Sequence, residues 1–298
     1  MSDFPQLLQR FAQTIEQSDK LDDIARAVEP YVERMTASPT VKAVLSGAPI
    51  GHRLHPMLTD NPIGCWTSAT VLDVVAWRSG ATAARRLLAL GIVSAVPTVA
   101  AGASDWSDSY GESKRIGIVH AASNTVALGF EIASWIARRR GRHVRGALLG
   151  LCGIGAATVG GYLGGRMVYT QRVGVDAEVP VVADDGWHIA CAESDLIDGR
   201  PFGVTVDGVR VVLVRRYEDV YALAAVCTHA GGPLDRGEVH NGVIQCPWHG
   251  SEFCLRDGAV FRGPAASSEP VYATRIRAGL VEIRRGLAEV IDLSPALV

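Results

Sequence analysis

Apolar positions along the chain change their spacing twice. From Phe4 to Val32 they recur every three or four residues, as in Phe4, Leu7, Leu8, Phe11, Ile15 and then Leu21, Ile24, Ala25, Val28, Tyr31, Val32. That is the period of amphipathic helix. Ser18 and Asp19 stand where a second helix would begin, and Ser38-Pro39 ends it. Residues 1–47 are therefore expected as a helical segment lying on a membrane or on the rest of the protein. Next come four apolar stretches, at 58–77, 87–104, 116–137 and 146–165, separated by short polar turns. Each approaches the roughly 20 residues that cross a bilayer core of ~30 Å. Glycine crowds the last of them (Gly150, Gly153, Gly155, Gly160, Gly161, Gly164), which lets membrane helices approach closely. From Trp187 the texture becomes short and strand-like, with a tight Asp207-Gly208 hairpin turn inside 203–214. Frequent Gly between short strands argues for a small antiparallel sandwich or barrel.

Composition sharpens this outline. A length of 298 residues fits about two domains. The chain is 48% hydrophobic and 20% charged, with the excess between Pro62 and Tyr169. A net charge of −2 carries no basic surplus, so no nucleic-acid partner is expected. Met1 leads into Gln, Arg and Glu without an apolar run, so no signal peptide is expected. Of six cysteines, Cys65, Cys152, Cys191 and Cys254 read as inert buried thiols, and no spacing suggests a disulfide framework.

The remaining two cysteines carry the chemistry. Cys227-Thr228-His229 and Cys246-Pro247-Trp248-His249 each offer one thiolate and one imidazole, with 16 residues between His229 and Cys246. Zinc could take such a set, but zinc fingers pair like ligands, whereas each half here mixes one Cys with one His. A [2Fe–2S] centre with two Cys on one iron and two His on the other uses that mixture. With the glycine and proline that follow each pair, residues 187–285 closely resemble the Rieske iron–sulfur family. The resemblance implies Cys227, His229, Cys246 and His249 as ligands and Gly263-Pro264-Ala265 as the proline-bearing loop that shields the cluster. It also bears on tuning. High-potential relatives carry a disulfide between the ligand loops where this chain has Gly232 and Trp248, and a Tyr where it has Phe253. Ser251 remains as a donor toward a bridging sulfide. Fewer donors to sulfur favour the oxidised state, so the potential is expected low in the ~−150 to +300 mV Rieske range. An oxygenase would need a mononuclear iron site, for which the 49 residues after His249 are too few.

The apolar region resembles a bacterial membrane family known as domain of unknown function 2231. The resemblance rests on 51–64 (Gly51-His52-Arg53-Leu54-His55-Pro56 onward), Asp73, His120, Asn124 and the glycine-rich fourth stretch ending at Arg166. It implies a four-helix bundle and no defined chemistry. Four spans put His52, His55, His120, Asn124, Asp105 and Arg166 at one membrane face. Ionisable groups at such depth read as functional by default, and the set suits haem b, a quinone, or a hydrogen-bonded belt. Asp73 and Glu131 lie deeper; they could pair with polar neighbours or extend a proton path, and pairing is the first expectation. Loop Lys and Arg number eight on one side and six on the other. The positive-inside rule thus leans toward an extracytoplasmic Rieske domain.

The expected fold is therefore multi-domain: an α-helical transmembrane four-helix bundle (48–170), a linker (171–186), an all-β Rieske-type domain (187–286) and a C-terminal tail (287–298). The expected function is a membrane-anchored, relatively low-potential, ferredoxin-like electron carrier working with redox partner proteins. The alternative is the electron-input subunit of a quinol oxidoreductase or Rieske oxygenase system. The expected location is the cell membrane, multi-pass.

Overall fold

The computed structural model describes residues 4–77, 79–175 and 186–285. Residues 176–185, most of the expected linker, and the expected tail at 287–298 lie outside the described residues. The chain divides into two compact units, Met1–Val41 with Arg53–Gly174 and Lys42–His52 with Val175–Val298.

The first unit is helical. Its long helices are α4 (Leu54–Val75), α5 (Ala81–Ser107), α6 (Gly111–Arg139) and α7 (His143–Tyr169), preceded by α1 (Phe4–Glu16) and α2 (Lys20–Met35). The division between the units falls within α3 (Pro39–Ser46), after Val41. α4 packs on α5 and α7, and α6 packs on α5 and α7. Among the described residues, three helices, α5, α6 and α7, are long and apolar enough to cross a membrane. α4 is not among them, although it was expected to span. Asp60, Asn61 and Asp73 dilute its 22 residues. Leu90, Val93, Val96 and Val99 of α5 are exposed, an apolar outer face suited to lipid.

The N-terminal helices lie on this unit. Ile15 packs with Ile116 and Leu163, and Ala25 and Val32 pack with Trp106. Charge fixes them further: Arg115 meets Asp22 at 2.7 Å, Arg166 meets Glu16 at 2.8 Å, and Lys114 pairs with Glu29. Arg166 is thereby drawn to α1. Cys152, expected buried, is exposed on α7.

Among the described residues, the second unit holds two antiparallel sheets. One has the order β1 (His188–Ala192), β10 (Leu280–Arg285), β9 (Val271–Arg277), β4 (Asp219–Ala224), β3 (Val209–Arg216), β2 (Pro201–Val206). The other runs β5 (Glu238–His240), β6 (Val243–Gln245), β7 (Glu252–Cys254), β8 (Val260–Arg262). Asp207 and Gly208 take φ of 49° and 81° between β2 and β3, as the Asp-Gly hairpin requires. β3 divides the interior. Val209, Val211 and Leu213 enter one core, whereas Val212 and Val214 enter another that contains Cys227 and Cys246. Alternation along one strand does this, because successive side chains leave opposite faces. The ligand loops are therefore rooted in packed apolar side chains such as Leu223, Leu234, Ile244 and Phe253, all fully buried.

Candidate metal centre

Two loops present the four donors. One follows β4 and leads to β5; the other joins β6 to β7. They repeat the same turn. Cys227 N–H donates to Gly232 O (2.8 Å) and Gly231 N–H to Cys227 O (2.8 Å). Cys246 N–H donates to Ser251 O (2.8 Å) and Gly250 N–H to Cys246 O (3.0 Å). The fifth residue of each turn is left-handed, Gly231 at φ 79° and Gly250 at φ 70°. Only glycine adopts that conformation freely, which accounts for a glycine at the same offset from both cysteines.

The turns meet. Cys227 and Cys246 are 1% and 2% exposed and hydrogen-bond one another. The bond to Cys246 and burial push the Cys227 thiol far up. The bond from Cys227 holds Cys246 down to about 6, against burial. The His229 and His249 rings stand 4.8 Å apart and perpendicular, with Nδ1 of both buried. Two buried thiols and two imidazoles converging from mirror-like turns fit a [2Fe–2S] cluster of the mixed-ligand kind. The imidazoles differ in access: His229 is 7% exposed, His249 is half-buried, and the neighbouring Trp248 is 56% exposed. Access to the site is therefore at His249, because His229 is covered.

A third segment ties both turns. Pro264 is buried within it. Ala265 N–H donates to Ser251 Oγ at 3.0 Å. Thr228 N–H donates to Glu269 Oε1 at 2.6 Å, and Thr228 Oγ1–H donates to Ser267 O at 2.8 Å. Glu269 is 2% exposed. Sequence reasoning missed Glu269, since nothing 40 residues downstream marks a carboxylate that folds back on the first turn. Gly232 also has a steric role: a Cβ there would stand 2.6 Å from Cys246 Sγ and 3.3 Å from the Trp248 ring.

In the helical unit, the expected polar group assembles in part. His55 and His120 have ring centroids 6.2 Å apart. His55 Nδ1 lies 2.9 Å from Thr98 O, and His120 Nδ1 lies 2.8 Å from Gly160 O. Asn124 Nδ2 lies 3.2 Å from His120 Nε2. Asp105 is taken by Arg53 Nη1 at 2.9 Å. His52 falls in the second unit. Asp73 pairs with Arg138, as expected of it. Glu131 does not pair: both its carboxyl oxygens are buried without a hydrogen bond.

The Rieske [2Fe-2S] domain family matches residues 186–276. The predicted membrane protein family DUF2231 matches residues 51–177. The ferredoxin component of a naphthalene 1,2-dioxygenase system from Pseudomonas putida is 30% identical over 90 residues, which are 30% of this chain and 86% of that protein. The oxygenase component of a 3-ketosteroid-9-alpha-monooxygenase from Mycobacterium tuberculosis is 33% identical over 103 residues, 34% of this chain and 26% of that protein. Among solved structures, the ferredoxin of carbazole 1,9a-dioxygenase from Nocardioides aromaticivorans IC177 is 29% identical, with a TM-score of 0.32, covering 33% of this chain and 96% of that chain.

Proposed function

Given that this chain belongs to the Rieske [2Fe–2S] family, we propose that it is a membrane-anchored, ferredoxin-like electron carrier. Cys227 and Cys246 would hold one iron, and His229 and His249 the other. The observation that carries this reading is the pair of matching turns that bring two buried thiols into contact and set two imidazole rings 4.8 Å apart. The bound cluster supplies one-electron transfer. The protein's side chains set its conditions. Ser251 Oγ accepts from Ala265 N–H, which leaves its hydroxyl proton to donate toward a sulfide. Phe253, fully buried, offers no hydroxyl. The potential then falls in the lower part of the ~−150 to +300 mV range. Electrons pass at His249 beside Trp248, to a redox partner protein of the kind that oxygenase ferredoxins serve.

The helices from α4 to α7 anchor the domain as a multi-pass bundle, with the Rieske domain on the extracytoplasmic side. Purified full-length protein is the test. Two irons per chain, a one-electron wave below about +100 mV, and loss of both on Cys246→Ser are expected. A chain holding zinc and no iron would overturn the assignment.

The His55–His120 pair favours a second reading, with haem b or a quinone in the helical unit. Both Nδ1 atoms lie against backbone carbonyls, so each ring donates there and has Nε2 as its acceptor, which in His120 meets Asn124 Nδ2 at 3.2 Å. Reduced-minus-oxidised optical spectra separate the cases. A cytochrome signal supports haem, and a cluster signal shifted by a quinone analogue supports quinone. Neither signal removes this reading.

A further inference from the structure

α6 carries a polar stripe on one face. His120, Asn124, Glu131, Ser134 and Arg138 are spaced by three, four or seven residues, so they line a single side of the helix. The facing helix answers with glycines. A Cβ at Gly164 would lie 3.0 Å from His120 Cε1, at Gly160 2.6 Å from Asn124 Oδ1, and at Gly146 2.5 Å from Arg138 Cγ. One at Gly153 would collide with Glu131 Oε1. The α7 glycines are thus complementary to α6 side chains, one for one.

Four of the five polar side chains are tied. His120 and Asn124 bond as described, Ser134 Oγ–H donates to Gly146 O at 2.7 Å, and Arg138 Nε–H donates to Ser134 Oγ at 3.2 Å. Arg138 also grips Asp73 of α4 with both terminal nitrogens. Glu131 is the exception, 0% exposed and with neither carboxyl oxygen hydrogen-bonded. An ionised carboxylate buried without partners is strongly disfavoured. The resting side chain is therefore the neutral acid, inside a helix apolar enough to cross a membrane. The charged groups that face it are Asp73 from α4 and Arg138 from its own helix; α7 presents glycine.

A route joins this acid to water. At Gly150 the space a Cβ would fill is ringed by Ser134 Oγ at 3.5 Å, Glu131 Oε2 at 3.7 Å and Arg138 Nη2 at 3.8 Å. Beyond Arg138, an open cavity of about 190 Å³ is lined by Asp73, Trp77, Arg138 and His143. It lies where the α4–α5 and α6–α7 turns meet, at the opposite end of the helices from His55 and His120.

We propose that Glu131 is a proton-exchange site, served through the Gly150 notch and the Asp73–Arg138 pair from that cavity. The exchange balances in charge. Glu131 gives up its proton, Asp73 accepts it, and the Arg138 guanidinium turns from Asp73 to the new Glu131 carboxylate. Asp73 then passes the proton to His143 or to solvent in the cavity, and the reverse sequence reloads Glu131. After release, Arg138 stays on the Glu131 carboxylate and Asp73 is a carboxylate facing the cavity water, so the second negative charge stands at the open end until the reverse sequence reloads Glu131.

Infrared spectroscopy of the full chain in lipid bilayers tests this, with the carbonyl stretch of a protonated carboxyl as the readout. The expected result is a band that shifts down on transfer to D₂O, disappears in Glu131→Gln, and persists in Asp60→Asn, a change at an exposed α4 position. Gly150→Ala keeps the band and slows its shift about tenfold or more, a barrier rise of about 1.4 kcal/mol. Its methyl fits at ordinary contact distance yet fills the notch. That variant also serves if Glu131→Gln does not assemble. A band that survives in Glu131→Gln, a band that never shifts in D₂O, or wild-type exchange in Gly150→Ala would each overturn the proposal.

Discussion

Gly232→Ala isolates the geometry of the metal centre in one methyl group. Gly232 does not take a positive φ, so alanine meets no backbone objection and the effect is steric. The new Cβ would sit 2.6 Å from Cys246 Sγ and 3.3 Å from the Trp248 ring. Non-bonded heavy atoms rest at about 3.5–4.0 Å, so the sulfur or the turn has to yield by roughly 1 Å. Trp248 is exposed and can swing away. Cys246 cannot, because its N–H and C=O are both held within its turn and its side chain is 2% exposed. Metal–ligand distances tolerate about 0.2 Å, so the displaced sulfur no longer meets the iron at its proper distance. Overpacking of this kind costs about 1–3 kcal/mol, which lowers the cluster-loaded fraction relative to the empty one by about 5- to 150-fold. The assay is iron and acid-labile sulfide per chain, with the paramagnetic resonance spectrum of the reduced protein. Full occupancy with an unchanged spectrum would show that Gly232 does not hold Cys246 in place.

The remaining predictions concern the third loop, the helices and the N-terminal segment. Ser251→Ala leaves the buried Ala265 N–H without its acceptor, so urea titrations should show a loss of about 1–3 kcal/mol. It also removes a donor toward sulfide, and potentiometry should find the potential lowered by roughly 60 mV per 1.4 kcal/mol of lost preference for the reduced state. In α7, Gly155→Ala has nothing within 4 Å of its new methyl and should raise the thermal midpoint through about 1 kcal/mol of helix propensity. Gly153→Ala should lower it, because the methyl collides with Glu131; equal shifts would contradict the seam. Asp73→Asn leaves Arg138, whose side chain is 2% exposed, without its anion, and should cost about 3–5 kcal/mol. The Arg115 guanidinium holds the Asp22 carboxyl below its ordinary value. A depressed carboxyl contributes stability above its unfolded pKa and loses it as pH falls through the folded value. Proteolysis at the α1–α2 turn should therefore accelerate at acid pH in the wild type, and Asp22→Asn should abolish that pH dependence.

Much of this protein was legible in its sequence because the signals are local. The Asp207-Gly208 turn and the helical N-terminal period state their own conformations. The Cys-x-His and Cys-x-x-His pairs name a donor set whose chemistry admits few occupants. The apolar stretches announced long helices, since length and composition alone decide whether a segment suits a bilayer. At α4 polar residues within an apolar stretch keep it, by length and composition, from matching the other three among the described residues. Sequence reasoning also missed Glu269, placed Cys152 inside, and paired Glu131 with a partner it does not have.

Those differences share one cause. Composition and spacing report what a segment prefers, whereas partnership is settled by which segments the fold brings face to face. The pattern along the chain determined the two halves, the two thiol–imidazole pairs and the glycine at the same offset in each turn. Tertiary structure decided that Ala265 and Glu269 brace those turns and that His229 is covered while His249 is not. It also decided that the glycines of α7 lie opposite the polar residues of α6. Backbone preferences act within a few residues, but contacts across 40 or more depend on packing that no single segment encodes.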